Sequence, residues 1–204
     1  MKKIFKVFVC CHKYIHRVED IKARVNKWNL GDYLIFVGGE EEKHLEENVV
    51  QLKCRDLYED LPEKMFAIYG YLADNGYANN YDDFWKIDDD VDFMRWNEGR
   101  QEALVNSLNG LNYAGFKLKS GEGKRGWHIG RVREGSPWFN KRYNGRYPDW
   151  MDGGTTYFLS SKALNKWKNF YKLSEIRNYD IYEDLAVAKY LEKCNILPVE
   201  INPW

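Results

Sequence analysis

Apolar positions along the chain fall into short runs separated by polar turns, and their spacing alternates between two periods. Residues 4–11 form a near-continuous run of Ile, Phe, Val and Cys broken only by Lys6, the pattern of a strand buried on both faces of a partly parallel sheet. Val18, Ile21, Val25 and Trp28 then recur at helical spacing and predict an amphipathic helix over about 17–28. Tyr33 to Val37 reads as a second strand closed by Gly38 and Gly39. Strand, helix, strand is a βαβ unit, the opening of a nucleotide-binding sheet. Glu40 to Asn48 reads as a solvated loop or exposed helix, and Val49 to Cys54 as a short strand. Asp60, Pro62 and Glu63 have the chemistry of a capped helix start, with Leu61, Met65, Ile68, Tyr69 and Leu72 as its buried stripe.

The stretch that organises the rest is FWKIDDDVDFM, residues 84–94. Apolar residues carry the backbone inward and stop at Asp88, Asp89 and Asp90. Three adjacent carboxylates oppose folding unless water or a cation neutralises them. An acidic triplet alone suits a solvated turn. The flanking apolar residues favour a buried strand ending at a cleft, at the carboxyl edge where open α/β sheets bind ligands. Strand alternation would put Asp88 and Asp90 on one face and Asp89 on the other, offering two hard oxygen ligands to a divalent cation that also holds phosphates.

Further along, Glu98 to Leu108 is expected to be helical and Tyr113 to Leu118 a strand. Nine Lys and Arg residues between Lys117 and Arg146 face only Glu122 and Glu134, with glycines interspersed. This segment suits a hairpin or lid over a phosphate-bearing substrate, and equally a solvated loop with His128 as a surface histidine. Gly153 and Gly154 precede the strand Thr156 to Leu159, an arrangement that lets backbone approach a ligand closely. Ser160 or Ser161 is expected to cap a helix bearing Leu164, Trp167 and Tyr171. Residues 181–191 predict a helix with Glu183 and Asp184 in its first turn, where they favour the helix dipole or point into the cleft. Ile196 to Ile201 reads as an edge strand.

At 204 residues the chain suits a single domain. Its 31 basic and 31 acidic side chains give no global field for nucleic acid or an anionic membrane. Aromatic residues reach 16%, enough for both a core and a cleft that stacks on flat apolar faces. Cys10, Cys11, Cys54 and Cys194 lack metal-ligand spacing and read as reduced, mostly buried thiols. The opening MKKIFKVFVCCHK has no signal cleavage site, and no run approaches the roughly 20 apolar residues of a membrane span. A soluble, cytoplasmic protein is expected. No Gly-x-Gly-x-x-Gly follows the first strand and no P-loop occurs, which excludes the usual dinucleotide and P-loop sites.

Four elements in chain order resemble the GT-A class of nucleotide-sugar glycosyltransferases, most closely the galactosyltransferase and fringe type of β1,3-glycosyltransferase. They are Asp56, Tyr58, Leu61 and Lys64; Lys86 with Asp88, Asp89, Asp90 and Val91; Tyr147, Pro148, Gly153, Gly154 and Ser160; and Glu183 with Asp184. The resemblance implies an α/β fold with a mixed, mostly parallel central sheet flanked by helices in one domain. Residues 1–92 would form the nucleotide-binding half and 93–204 the acceptor and donor-sugar half. It implies a hexosyltransferase using Mn²⁺ or Mg²⁺, with a UDP-sugar favoured as donor and a glycan or glycoprotein as acceptor. Asp88 and Asp90 would hold the metal. Cys11, His12 and Lys13 would touch the base or ribose, with Asp56, Lys64 and Asp89 bordering the nucleotide. Gly153 and Gly154 would lie against the donor sugar. Asp184 would be the catalytic base, with Asp152 the second candidate. Leu185, Ala186, Val187 and Ala188 depart from the valine and glycine the family usually carries after Glu-Asp. The apparent absence of an anchor and of disulfides suggests a small soluble form of the bacterial or large-virus kind.

Two other readings use the same acids. A metal-dependent phosphoester hydrolase would need further His or Asp ligands around two metals. A calcium-dependent sugar-binding module would bind sugar without nucleotide, and an EF-hand loop from Asp88 fails because Phe93 and Gly99 stand where glycine and glutamate are needed.

Overall fold

The structure is a computed structural model that describes residues 2–91, 98–121, 123–154, 156–169 and 180–202. Its centre is an eight-stranded mixed sheet in the order β10-β6-β9-β5-β1-β2-β4-β3. The strands are β1 (Ile4–Val9), β2 (Tyr33–Gly39), β3 (Lys43–Glu46), β4 (Val49–Lys53), β5 (Asp83–Asp88), β6 (Tyr113–Gly115), β9 (Tyr157–Ser160) and β10 (Val199–Glu200). β1 pairs in parallel with β2 and β5, β2 with β4, and β6 with β10, while β3, β6 and β9 make the antiparallel contacts. A separate two-stranded ribbon joins β7 (Leu118–Lys119) to β8 (Trp150–Met151). This is the mixed, mostly parallel sheet flanked by helices that was expected, formed as one domain.

Strand alternation divides the core into two layers. Phe5, Val7, Val9 and Phe84 point to one face, where helix α2 (Leu61–Asp74) contributes Met65, Phe66 and Ile68. Helix α5 (Glu183–Lys193) adds Leu185, Val187 and Leu191 to the same layer. Phe8, Trp85 and Ile87 point the other way, onto Val18, Ile21 and Val25 of α1 (Val18–Lys27) and Leu104 and Leu108 at α3 (Glu98–Ser107). Both faces are covered, which explains why β1 and β5 lack the polar alternation of a one-sided sheet.

Several local expectations are corrected. The polar stretch after β2 is neither loop nor helix throughout. His44 and its neighbours form edge strand β3 against β4 with a register shift, largely exposed, and its charges suit an unprotected edge. Asp60 makes no side-chain cap to α2 although Pro62 stands at its start; its side chain is buried instead. Ser160 does cap the short helix α4 (Ser161–Leu164), accepting from the Ala163 N–H at 3.2 Å. That segment continues only as a 3-10 turn through Trp167, and Tyr171 lies outside the described residues, as does Phe93. The C-terminal edge strand is short, confined to Val199–Glu200. Among the described residues no helix is long and apolar enough to cross a membrane.

Because β1, β2, β4 and β5 run in parallel, their carboxyl ends line one edge of the sheet. The register sets Val9 beside Asp88 and Gly39 beside Lys53. β9 enters from the same edge opposite Lys86, so the paired glycines before it arrive next to the acids after β5.

Candidate active site

Two clusters form on this edge. In the first, the buried Lys64 ammonium donates to the Cys10 carbonyl and to Asp56 Oδ1, each at 2.5 Å. The other Asp56 oxygen accepts from the His12 backbone N–H. Residues that the sequence grouped only by motif thus tie the loop after β1, the loop after β4 and the start of α2 into one corner. A cleft of about 1200 Å³ opens there, with His12, Gly38, Gly39, Asp56, Asp60 and Arg133 in its walls. Gly38 is required by closeness: a Cβ would stand 2.7 Å from Asp56 Cβ and 2.9 Å from the Cys54 carbonyl. Cys11 is half-buried, and burial raises its thiol pKa. Lys13 is exposed, its ammonium 5.6 Å from the Tyr14 ring centroid.

The second cluster centres on Lys86. Its ammonium is buried and lies 2.7 Å from Asp88 Oδ1 and 3.0 Å from Glu183 Oε1, and it donates to the Gly153 carbonyl at 3.0 Å. Burial opposes the charge on Lys86, but the two carboxylates outweigh it and keep its pKa above the ordinary lysine value. Asp184 accepts from the Leu185 N–H at 2.9 Å and, at the limit of a hydrogen bond, from the Gly153 N–H at 3.5 Å. Burial raises the Asp184 pKa despite these donors. It also pushes Glu183 up to about 7, against the pull of Lys86, and Glu183 Oε2 is buried with no hydrogen-bond partner among the described residues. A Cβ on Gly153 would meet Glu183 Oε1 at 2.2 Å. Gly153 is therefore packed backbone-to-carboxylate, as close approach demands, while Gly154 is exposed.

The acid triplet divides its work differently from simple alternation, because β5 ends at Asp88 and a turn follows. Asp89 accepts from Arg17 at 2.8 Å, and its carbonyl accepts from Arg24 at 2.5 Å, which bolts the turn to the α1 side of the sheet. Asp90 is exposed and Asp88 half-buried. Among the described residues no group of three or more His, Cys, Asp or Glu side chains is arranged to hold a metal. The donor set still fits a phosphate-bound cation, which needs only one or two carboxylates: Asp88 has an oxygen outside its Lys86 pair, and Asp90 stands open beside it.

Asp152 lies 3.7 Å from Lys117 and 3.5 Å from Lys119 and is about a quarter exposed. The basic segment behind it is an irregular and largely exposed loop that is tied down at several points. Arg125 donates to the carbonyls of Tyr143 and Gly145 at 3.0 and 3.1 Å. His128 is fully buried, between the Tyr182 hydroxyl at 2.9 Å and the Lys141 carbonyl at 2.8 Å. Its surface reading is overturned by this burial: one ring nitrogen ties the segment to Tyr182 at the start of α5 and the other to the segment's own Lys141 carbonyl.

Sequence reasoning gave no individual role to Lys86 or Glu183, although both lay inside quoted motifs. The signal was a lysine at the centre of an otherwise apolar strand, which needs buried carboxylates. Arg17 and Asp180 carried no such signal. Asp180 takes Tyr143 and Lys189 at 2.6 and 2.5 Å.

Among solved structures the chain is similar to the galactosyltransferase LgtC, crystallised in complex with donor and acceptor sugar analogs. The identity is 13% and the TM-score 0.45, over 96% of this chain and 73% of that one, a likeness too loose to bear on individual residues. The sequence comparison is decisive: the galactosyltransferase family model matches residues 32–202. That span takes in the Lys86 cluster, Asp56 and Lys64 of the other corner, and all four motifs, so the chain belongs to the galactosyltransferase family and is a glycosyltransferase.

Proposed function

We propose that this glycosyltransferase moves a hexose from a nucleotide diphosphate sugar, with UDP the favoured nucleotide, to a hydroxyl of a glycan. The observation that carries the reading is the Lys86 cluster, which brings Asp88, Gly153, Glu183 and Asp184 from three distant segments to the carboxyl edge of the sheet. The corner formed by His12, Asp56 and Lys64 holds the nucleotide, with Cys11 and Lys13 on the same loop. Residues 1–92 then supply the nucleotide half and 93–204 the sugar and acceptor half.

Asp88 and Asp90 are the residues that would hold Mn²⁺ or Mg²⁺. Such an ion, when bound, neutralises charge on the departing diphosphate. Asp89 is committed to Arg17 and so fixes the turn. Gly153 and Gly154 border the donor sugar. Asp184 receives the proton of the acceptor hydroxyl; its raised pKa makes it a better acceptor than an ordinary aspartate, and backbone N–H groups fix its orientation. Asp152, which lies near Lys117 and Lys119, is the alternative base. Glu183 and Lys86 position this group and do not react.

The test is nucleotide release from UDP-, GDP- and CDP-hexoses with mixed oligosaccharide acceptors, with Mn²⁺ and with chelator. One donor should be consumed, only with metal, and Asp184→Asn should lower turnover by about 10²–10⁴-fold. Consumption of no donor under any metal condition overturns the reading.

A further inference from the structure

We infer that Trp127, with Arg131 and Lys124, is an acceptor platform selective for glycans carrying acidic groups; this rests on the transferase reading above. Trp127 is 49% exposed and Ile129 44%. The display is held in place. Arg131 lies 4.3 Å and Lys124 5.3 Å from the Trp127 ring centroid, and the Trp127 N–H donates to the Lys124 carbonyl at 3.1 Å. A ring fixed by its own loop costs little ordering when a ligand lands on it.

The platform is joined directly to the acid pair. Tyr182, the residue before Glu183, donates its hydroxyl to the Lys124 carbonyl at 3.0 Å and bonds His128. On the other side Arg131 lies 5.7 Å from the Tyr58 ring centroid. Burial raises the Tyr58 pKa, and the nearby Asp184 charge adds to it while Arg131 opposes it. Trp127, Arg131 and Tyr58 therefore form a run of side chains beside the loop that Tyr182 holds. A half-exposed aromatic face flanked by cations suits a pyranose ring that carries acidic groups.

The charge sets the class of sugar. Lys124 and Arg131 are exposed, in a chain whose formal net charge is zero. Arg133, which pairs with Glu59 at 3.0 Å, stands in the cleft wall. Carboxylate, sulfate or phosphate groups on the acceptor complement these cations. The same cations and ring could instead meet an anionic membrane, and the experiment separates the two.

The protein, with and without UDP and Mn²⁺, is applied to an array of neutral, uronate-bearing, sialylated and phosphorylated glycans. It is also sedimented with vesicles of phosphatidylcholine and phosphatidylserine in equal parts. At least one acidic class should bind about tenfold more tightly than any neutral glycan. Trp127→Ala should lose that binding about tenfold or more, and Arg131→Gln should remove the preference for acidic over neutral glycans. Added salt should weaken the binding, while UDP affinity and melting temperature stay unchanged. Equal binding of neutral glycans, binding insensitive to Trp127→Ala, binding of no glycan, or Trp127-dependent binding to vesicles alone each overturns the inference. Loss of UDP binding alone would remove the donor reading and leave an acidic-glycan site standing.

Discussion

Lys86 and Glu183, 97 positions apart in the chain, meet at 3.0 Å inside the protein. The same ammonium lies 2.7 Å from Asp88, so one buried cation joins the end of the central strand to the first turn of α5. Removing it leaves two acids facing a buried site with no counter-ion. Lys86→Met should therefore destabilise the fold by about 3–5 kcal/mol, read from urea denaturation. A variant as stable as the parent would contradict this role.

The Glu183 proton makes stability depend on pH. Its folded pKa, about 7, stands above the ordinary glutamate value of 4.5, so the folded state holds the proton more tightly than the unfolded chain. The Glu183 contribution is complete below pH 4.5 and is lost as pH rises towards 7. Melting temperatures of the parent and Glu183→Gln across that window should show the parent losing stability relative to the variant. Parallel curves would show that Glu183 does not titrate there.

Gly153→Ala tests close packing without changing charge. The new methyl group would lie 2.2 Å from Glu183 Oε1, and Lys86 keeps that oxygen from swinging freely. Displacing the acid pair by about 1 Å should cost about 10²-fold in turnover, with circular dichroism unchanged. Full activity would mean that Gly153 does not set the position of the acids.

Much of this arrangement was legible because local pattern and tertiary structure agree. Val18, Ile21 and Val25 announced α1 and are all buried. The run from Phe84 to Ile87 announced a buried strand, and all four residues are buried. What sequence could not show was pairing at a distance. Alternation set Asp89 apart from Asp88 and Asp90, but nothing local named Arg17 as its partner. His128 looked like a surface residue because nothing local reveals that Tyr182 and the Lys141 carbonyl enclose it. The edge strand β3 was hidden by its charges, since an exposed edge needs no apolar alternation.

The thiols offer an independent check on burial. Burial pushes Cys10 and Cys54 up to about 12, with the Asp89 charge adding to the effect at Cys10. Thiolate is scarce at pH values far below that, so neither residue should react with iodoacetamide at about pH 8 unless the protein is unfolded. Mass spectrometry of peptides labelled before and after denaturation reads the difference. Rapid native labelling of Cys54 would mean that the corner beneath Asp56 is open.

The most direct test of the donor site is calorimetric titration with uridine, guanosine and cytidine diphosphates, with and without Mn²⁺, on the parent protein and on Asp90→Ala. Asp90 is exposed at the end of the central strand, so the variant should fold normally. Binding of one nucleotide that requires Mn²⁺ and falls about tenfold or more in the variant is the predicted result. Failure of every nucleotide to bind, or tight binding indifferent to both Mn²⁺ and Asp90, would contradict the metal-assisted donor site.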